Sequence, residues 1–192
     1  MKHFLGISDD EFIRGRVPMT KQEIRILTLA KARIGAGDVV YDIGAGTGSL
    51  SIEAALQAEN GHVYAIERKS EGIALIQQNA EKFGVENLTV VQQEAPEGME
   101  ALPACNVVLI GGSGSHLEEI LAAVDRKLVQ GGRILLNCIT VQTLASCIAY
   151  MRRNERYSYE AIQVQVNRLR QVGPYDMAEA INPIYIVVCE KG

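Results

Sequence analysis

The sequence predicts an α/β protein: a mostly parallel seven-stranded sheet with helices on both faces, completed by a C-terminal antiparallel hairpin strand. Three observations carry this. Short apolar runs alternate with amphipathic stretches from Val39 to Met151, the pattern of successive βα units. The first run, Val39-Val40-Tyr41-Asp42-Ile43, ends in a turn holding Gly44, Gly46 and Gly48, with a helical pattern directly behind it. Beyond Tyr159 two strand-like stretches follow with no helix between them, which requires an antiparallel pair.

The elements read in order as follows. Residues 1–19 show no clear periodicity, and Phe4, Leu5, Ile7, Phe12 and Ile13 read as a short packed arm beside Arg14 and Arg16. Thr20-Lys21-Gln22-Glu23 has the form of a capping box, and Ile24, Leu27, Ala30 and Ile34 share one face of the helix it opens. Gly35 and Gly37 close that helix. The first strand, its glycine turn and a second helix run from Val39 to about Ala58. Asn60-Gly61 turns the chain into a second strand, 62–67, ending in an acid; Ser70 caps a helix carrying Ile73, Ile76, Ala80 and Phe83. Residues 88–92 and 106–110 form the next strands, the latter running into Gly111-Gly112-Ser113-Gly114-Ser115. A helix over 116–128 ends at Gly131-Gly132, strand 133–138 follows, and another helix runs through Met151. Residues 159–166 alternate as a strand, 169–182 read as loop, and 184–189 form the last strand. No repeat or linker interrupts the chain, so residues 1–192 are expected to form one domain.

Composition bounds the partners. A hydrophobic content of 47% with 22% charged residues is that of a soluble globular protein. The net charge of −4 argues against a general nucleic-acid binder. Cys105, Cys138, Cys147 and Cys189 lack C-x-x-C spacing and lie in or beside apolar segments, so they read as buried thiols of a reducing cytoplasm, without disulfides or a metal. No apolar stretch approaches the roughly 20 residues of a membrane span. Asp9, Asp10 and Glu11 are out of place in a signal peptide. The expected setting is the cytoplasm.

The glycine turn has the spacing G-x-G-x-G, with Ser49 where a dinucleotide fingerprint places its last glycine. Asp42, two residues before the turn, would face a pyrophosphate unfavourably and suits a ligand bearing an ammonium group and a sulfonium. Glycines here let the backbone turn sharply and let a ligand approach main-chain N–H groups. The pattern resembles the first motif of class I S-adenosyl-L-methionine-dependent methyltransferases with a Rossmann-like fold. Glu67, nineteen residues past Gly48, is placed to accept from both hydroxyls of a ribose. Ala95 offers a backbone N–H to an adenine ring and Glu94 an acceptor for its amino group. Thr20 reads both as a helix cap and as a residue of the cofactor pocket.

A narrower resemblance covers nearly the whole chain. Asp9-Asp10-Glu11-Phe12-Ile13, the stretch from Val17 to Arg25, Asp42 to Gly48, Glu94-Ala95-Pro96-Glu97 and Ile110-Gly111-Gly112-Ser113-Gly114 resemble the decarboxylating precorrin methyltransferases of cobalamin synthesis. The resemblance implies methylation at C-15 of a corrin precursor with loss of carbon dioxide from the adjacent acetate. Chain length favours the separate short enzyme of the cobalt-inserted route over the C-terminal part of a fusion. By position, the S-adenosyl-L-methionine contacts fall on Thr20, Gly44, Ala45, Gly46, Thr47, Gly48, Glu67 and Ala95. The family is similar to homotetramers, and a partner methyltransferase of the same pathway stays open.

A sulfonium methyl is already electrophilic, so a carbon nucleophile needs alignment more than acid–base help, and no catalytic dyad is expected. The substrate is an anionic tetrapyrrole, which calls for arginines and loop N–H donors: Arg14, Arg16, Arg168, Arg170, Gly112 and Ser113 are the candidates. His116 and Tyr175 have weaker claims. The rival readings are a tRNA base methyltransferase, a non-catalytic cofactor-binding protein on the same fold, and a nicotinamide-dependent oxidoreductase, the last disfavoured by Ser49.

Overall fold

In the computed structural model, residues 5–192 are described. Phe4, assigned above to the packed arm, lies outside them. Strands β1 (Val39–Ile43), β2 (His62–Ile66), β3 (Leu88–Val91), β4 (Cys105–Ile110), β5 (Leu128–Cys138), β6 (Tyr157–Val164) and β9 (Ile184–Lys191) make one sheet in the order β3-β2-β1-β4-β5-β9-β6. Strands β1 to β5 pair in parallel, and β9 runs antiparallel to both β5 and β6. This is the expected seven-stranded sheet. Between β6 and β9 a separate hairpin of β7 (Asn167–Val172) and β8 (Tyr175–Ala180) stands apart from it.

Alternation along each strand divides the core between two faces. Tyr41, Ile43, Ile110 and Leu136 pack with Ile120 and Leu121 of α4 (Leu117–Lys127) and with Cys147 and Met151 of α5 (Val141–Arg152). Val40, Leu109, Leu135 and Ile186 pack on the opposite face with Ile24 and Leu29 of α1 (Gln22–Ala32) and Leu50 and Ala54 of α2 (Ser49–Gln57). Ile7 and Phe12 of the arm join Ile52 and Phe83, the last from α3 (Ser70–Phe83).

Several boundaries differ from the sequence reading. Lys21, not Thr20, is the N-cap of α1, and no side-chain cap forms there; the Thr20 carbonyl instead accepts from Arg25 Nη1 at 2.7 Å. The helix ends at Arg33, whose left-handed φ of 53° closes it before either glycine is reached. Ser70 lies inside α3; Glu67 takes the N–H of the N-cap residue Lys69 at 2.9 Å. Strand β5 starts at Leu128, and the shift in its pairing between Cys105↔Leu128 and Val107↔Arg133 absorbs the glycines assigned to the helix end. The segment taken as loop is mostly the β7–β8 hairpin. Every residue of both strands is exposed, so neither face carries the apolar alternation by which strands are recognised.

A buried cation, Arg25, ties the arm to the body of the protein. Arg25 is fully buried on α1; its Nε donates to Glu53 Oε1 at 2.5 Å, Nη1 to Asp9 Oδ1 at 3.2 Å, and Nη2 to the Ile7 carbonyl. Glu53 in turn accepts from the backbone N–H of Gly6 (2.7 Å) and Ile7 (3.2 Å). Phe12 lies against the guanidinium, 4.7 Å to the ring centroid. Further along, Asn79 accepts from Ile13 N–H at 2.8 Å and donates to the carbonyls of Ile13 and Thr47, each at 3.0 Å. Removing one partner of a buried, hydrogen-bonded ion pair leaves the other charge uncompensated. Arg25→Met is therefore expected to lower the unfolding free energy by about 3–5 kcal/mol in urea titrations. A loss below about 1 kcal/mol would show that the network contributes little.

Candidate active site

Parallel α/β sheets place ligands beyond the carboxyl ends of their strands, where strand order reverses. Here that point lies between β1 and β4, and a cleft of about 290 Å³ opens there. It spans the ends of β1 to β5 and, because β9 runs backwards, the start of β9 at Ile184. One wall is the segment Val17 to Lys21 that the arm delivers.

The glycine loop is shaped by clearance. Gly44, Gly46 and Gly48 have φ of +69°, +59° and +79°. A Cβ on Gly44 would stand 2.5 Å from the Gly112 carbonyl, and one on Gly46 would stand 2.7 Å from that of Pro18. The N–H groups of Gly44 and Ala45 donate to the Ile66 carbonyl (2.9 and 3.2 Å), and Gly48 donates to Ala45 (2.9 Å). Gly46 donates to Glu67 Oε2 at 2.9 Å. These four donors are occupied within the protein, contrary to the reading that they stand open to a ligand. The loop's contribution is a surface that backbone and ligand can approach closely.

Of the residues singled out for a cofactor, Thr20, Gly44, Ala45, Gly46, Glu67, Glu94 and Ala95 line the cleft. Thr47 and Gly48 do not: Thr47 is buried, its Oγ1 without a partner among the described residues, and Gly48 is pressed against Ile76. Glu67 is nearly buried, and its two oxygens brace the glycine loop and the start of α3, with lone pairs remaining on both. Gly72 makes this fit feasible, since a Cβ there would lie 2.7 Å from Glu67 Cγ. Sequence reasoning missed Gly72 because it sits inside a helix, where a glycine carries no turn signal. Arg68 and Glu94, from the ends of β2 and β3, pair at 2.6 Å across the same end of the cleft.

Among the substrate candidates, Gly112 and Ser113 line the cleft, and the four arginines do not. Arg14 pairs with Asp10 at 3.2 Å, and the Arg16 N–H donates to Glu71 at 2.6 Å. Arg168 is held by both oxygens of Glu23 at 2.7 and 2.8 Å, which pulls the Glu23 carboxyl below its ordinary pKa. Arg170 and Tyr175 are exposed on the hairpin, and His116 is the exposed N-cap of α4. Among the described residues, the cations lining the cleft are Lys21, Arg68 and Lys69. Asn137, Ile139 and Ile184 also line it, at the end of β5 and the start of β9; the strand-end rule would have found the first two.

Asp42 is the electrostatic feature of the site. It is 1% exposed; Ser51 Oγ donates to one carboxylate oxygen at 2.5 Å, and Oδ1 has no partner among the described residues. Burial pushes its pKa from the ordinary 3.8 up to about 6, against the opposing Ser51 hydrogen bond. A buried, half-satisfied carboxylate facing a cleft fits a ligand ammonium, the group the sequence pattern called for.

Comparison with known proteins gives the family of the chain. Residues 11–191 match the precorrin methyltransferase domain family. A protein of Sulfurisphaera tokodaii named "Probable cobalt-precorrin-6B C(15)-methyltransferase (decarboxylating)" is 39% identical over 97% of each chain. A Salmonella typhimurium cobalt-precorrin-6B C(15)-methyltransferase (decarboxylating) is 34% identical over 96% of each. The crystal structure of a precorrin-6y C5,15-methyltransferase from Geobacter metallireducens superposes with a TM-score of 0.92 at 42% identity, covering 97% of both chains.

The Asp42 carboxyl gives a pH prediction. Between about pH 4 and pH 6 the folded state binds more protons at this group than the unfolded state, so its contribution to stability falls as pH rises through that window. Asp42→Asn keeps an acceptor for Ser51 and removes the buried charge. Urea titrations at pH 7 are expected to show the variant more stable by about 1–3 kcal/mol, with the gain vanishing toward pH 4. A variant less stable at pH 7 would contradict the assignment.

Proposed function

The chain belongs to the precorrin methyltransferase family, and on that premise we propose that it methylates C-15 of a cobalt-precorrin and removes carbon dioxide from the neighbouring acetate. The observation that carries this reading is one cleft holding Asp42, Glu67 and the Gly111–Gly114 loop at the reversal point of the sheet. S-adenosyl-L-methionine, when bound, supplies the electrophilic methyl group. In this reading Glu67 accepts from the ribose hydroxyls, and Ala95 and Glu94 meet the adenine. Asp42 faces the ammonium, and Thr20 covers the methionine end. The Gly111-Gly112-Ser113 loop, one strand over, then stands between the methyl donor and the substrate.

What the protein contributes is chiefly alignment and exclusion of water. Holding a nucleophilic ring carbon in line with the methyl group removes several kcal/mol of barrier. Loss of carbon dioxide leaves an electron pair that the conjugated macrocycle absorbs, so no acid–base dyad is assigned. Four free, buried thiols support a cytoplasmic setting. No helix among the described residues is long and apolar enough to cross a membrane. One domain over residues 1–192 accounts for all of these assignments.

The reading is tested by mass spectrometry of the product from cobalt-precorrin-6B and S-adenosyl-L-methionine, with bulk tRNA as a parallel acceptor. The expected product has gained a methyl group and lost a carboxyl. Methylation of tRNA with the tetrapyrrole unchanged would favour the rival enzyme.

We also propose that the chain works as a homotetramer assembled through the β7–β8 hairpin. An isolated two-stranded hairpin is at best marginally stable in water. The register places Val172 opposite Tyr175 and Arg170 opposite Met177, so three apolar side chains share one face, with Tyr175 71% and Met177 55% exposed. Light scattering is expected to give four times the 20.9 kDa chain mass, and Tyr175→Glu with Met177→Glu a smaller species. A monomeric parent protein would overturn this.

A further inference from the structure

Lys21 is a cation of the cleft that the reading above leaves without a task. An amino acid bound through its ammonium brings a carboxylate on the same carbon, and Asp42 answers only the first of these two charges. Backbone donors of the loops around Asp42 are occupied. Gly44 and Ala45 donate to the Ile66 carbonyl and Gly46 to Glu67, while Gly111 and Gly112 donate to the Ile43 carbonyl at 2.9 and 3.4 Å. A carboxylate held here therefore calls for a side-chain donor, and a charged donor binds it most strongly.

Position separates the three cations that line the cleft among the described residues. Arg68 is paired with Glu94 at 2.6 Å, at the end given to adenine. Lys69 follows the carboxylate given to the ribose, and its backbone N–H donates to Glu67. Lys21 stands beside Thr20 on the Val17–Lys21 wall, at the end given to methionine. That wall meets the glycine loop directly, since the Pro18 carbonyl lies where a Cβ on Gly46 would come within 2.7 Å. Arg25 fixes the backbone on both sides of the residue. Its Nη1 donates to the Thr20 carbonyl at 2.7 Å, and its main-chain N–H donates to the Lys21 carbonyl at 2.8 Å.

The ammonium itself is not committed. Nζ stands 3.8 Å from Asp9 Oδ2, an ion pair too long for a hydrogen bond, and it makes no hydrogen bond among the described residues. Asp9 is shared: Arg25 Nη1 holds its Oδ1 at 3.2 Å, and Arg168 Nη2 stands 4.0 Å from Oδ2. Glu53 matches Arg25 and Glu23 matches Arg168, so Asp9 balances the charge of Lys21 from a distance without taking its N–H donors. With its side chain 43% exposed, Lys21 keeps water as a partner until a ligand replaces it.

We propose that Lys21 Nζ donates to the carboxylate at the methionine end of the cofactor, so that Asp42 and Lys21 together recognise the zwitterion. This rests on the S-adenosyl-L-methionine reading. The buried anion takes the ammonium and the rim cation takes the carboxylate. The pair thereby separates the intact cofactor from adenosyl thioethers that lack the carboxylate.

The test measures dissociation constants by calorimetry for two ligands, S-adenosylhomocysteine and its decarboxylated form, S-adenosyl-3-thiopropylamine. The second keeps the adenosine, the sulfur and the amine and lacks only the carboxylate. The parent protein is compared with Lys21→Met and Lys21→Arg, with Tm reporting on the fold. Lys21→Met is expected to weaken S-adenosylhomocysteine binding at least about tenfold and to leave the decarboxylated ligand within about twofold of the parent value. Lys21→Arg restores most of the lost affinity. A Met variant that binds S-adenosylhomocysteine as the parent does overturns the proposal. Equal weakening of both ligands also overturns it, by showing a structural role for Lys21. A parent protein that binds the two ligands equally well overturns the proposal while leaving the cofactor reading in place. A parent protein that binds neither removes the cofactor reading as well.

Discussion

The buried guanidinium of Arg25 is the contact on which the site depends. It joins α1, the arm through Ile7 and Asp9, and α2 through Glu53. It also takes the carbonyl of Thr20, which anchors the segment that forms one cleft wall. A charge with no exposure is stable only when its donors are matched, and here the partners come from three parts of the chain. Folding the arm and shaping the cleft are thus one event. An arm that peeled away would carry Val17 to Lys21 with it and leave the cleft one-sided.

A second layer of constraint is steric. Gly44 against the Gly112 backbone, Gly46 against Pro18, and Gly72 against Glu67 are three places where a single methyl group would push the walls apart. Glu67 then ties the loop to the start of α3 with both carboxylate oxygens. Against this frame, Asp42 is left with a buried oxygen that has no partner among the described residues. Such a group costs stability and is tolerated where a ligand completes it.

Much of this was legible in the sequence. Alternating apolar runs and helical faces gave the parallel sheet, and the glycine spacing with Asp42 and Glu67 gave the centre of the cleft. What stayed hidden depended on tertiary neighbours. Thr20 looked like a cap, but the Arg25 network draws its carbonyl inward and the helix starts one residue later. Arg14 and Arg168 looked available to an anion, yet local geometry pairs them with Asp10 and Glu23. Asn137 was overlooked because a lone asparagine at a strand end has no pattern of its own. The β7–β8 hairpin was missed because a strand exposed on both faces carries no periodicity.

The central claim is that the clamped arm and the glycine loop form a seat for an adenosyl sulfonium compound, with substrate meeting it from the β4–β5 side. A crystal of the protein soaked with S-adenosylhomocysteine tests this most directly. The account predicts adenine beside Ala95, ribose on Glu67 and the amino acid end above Asp42, with the sulfur facing Gly112. A cleft that stays empty at saturating ligand, or a ligand bound elsewhere on the chain, would contradict it.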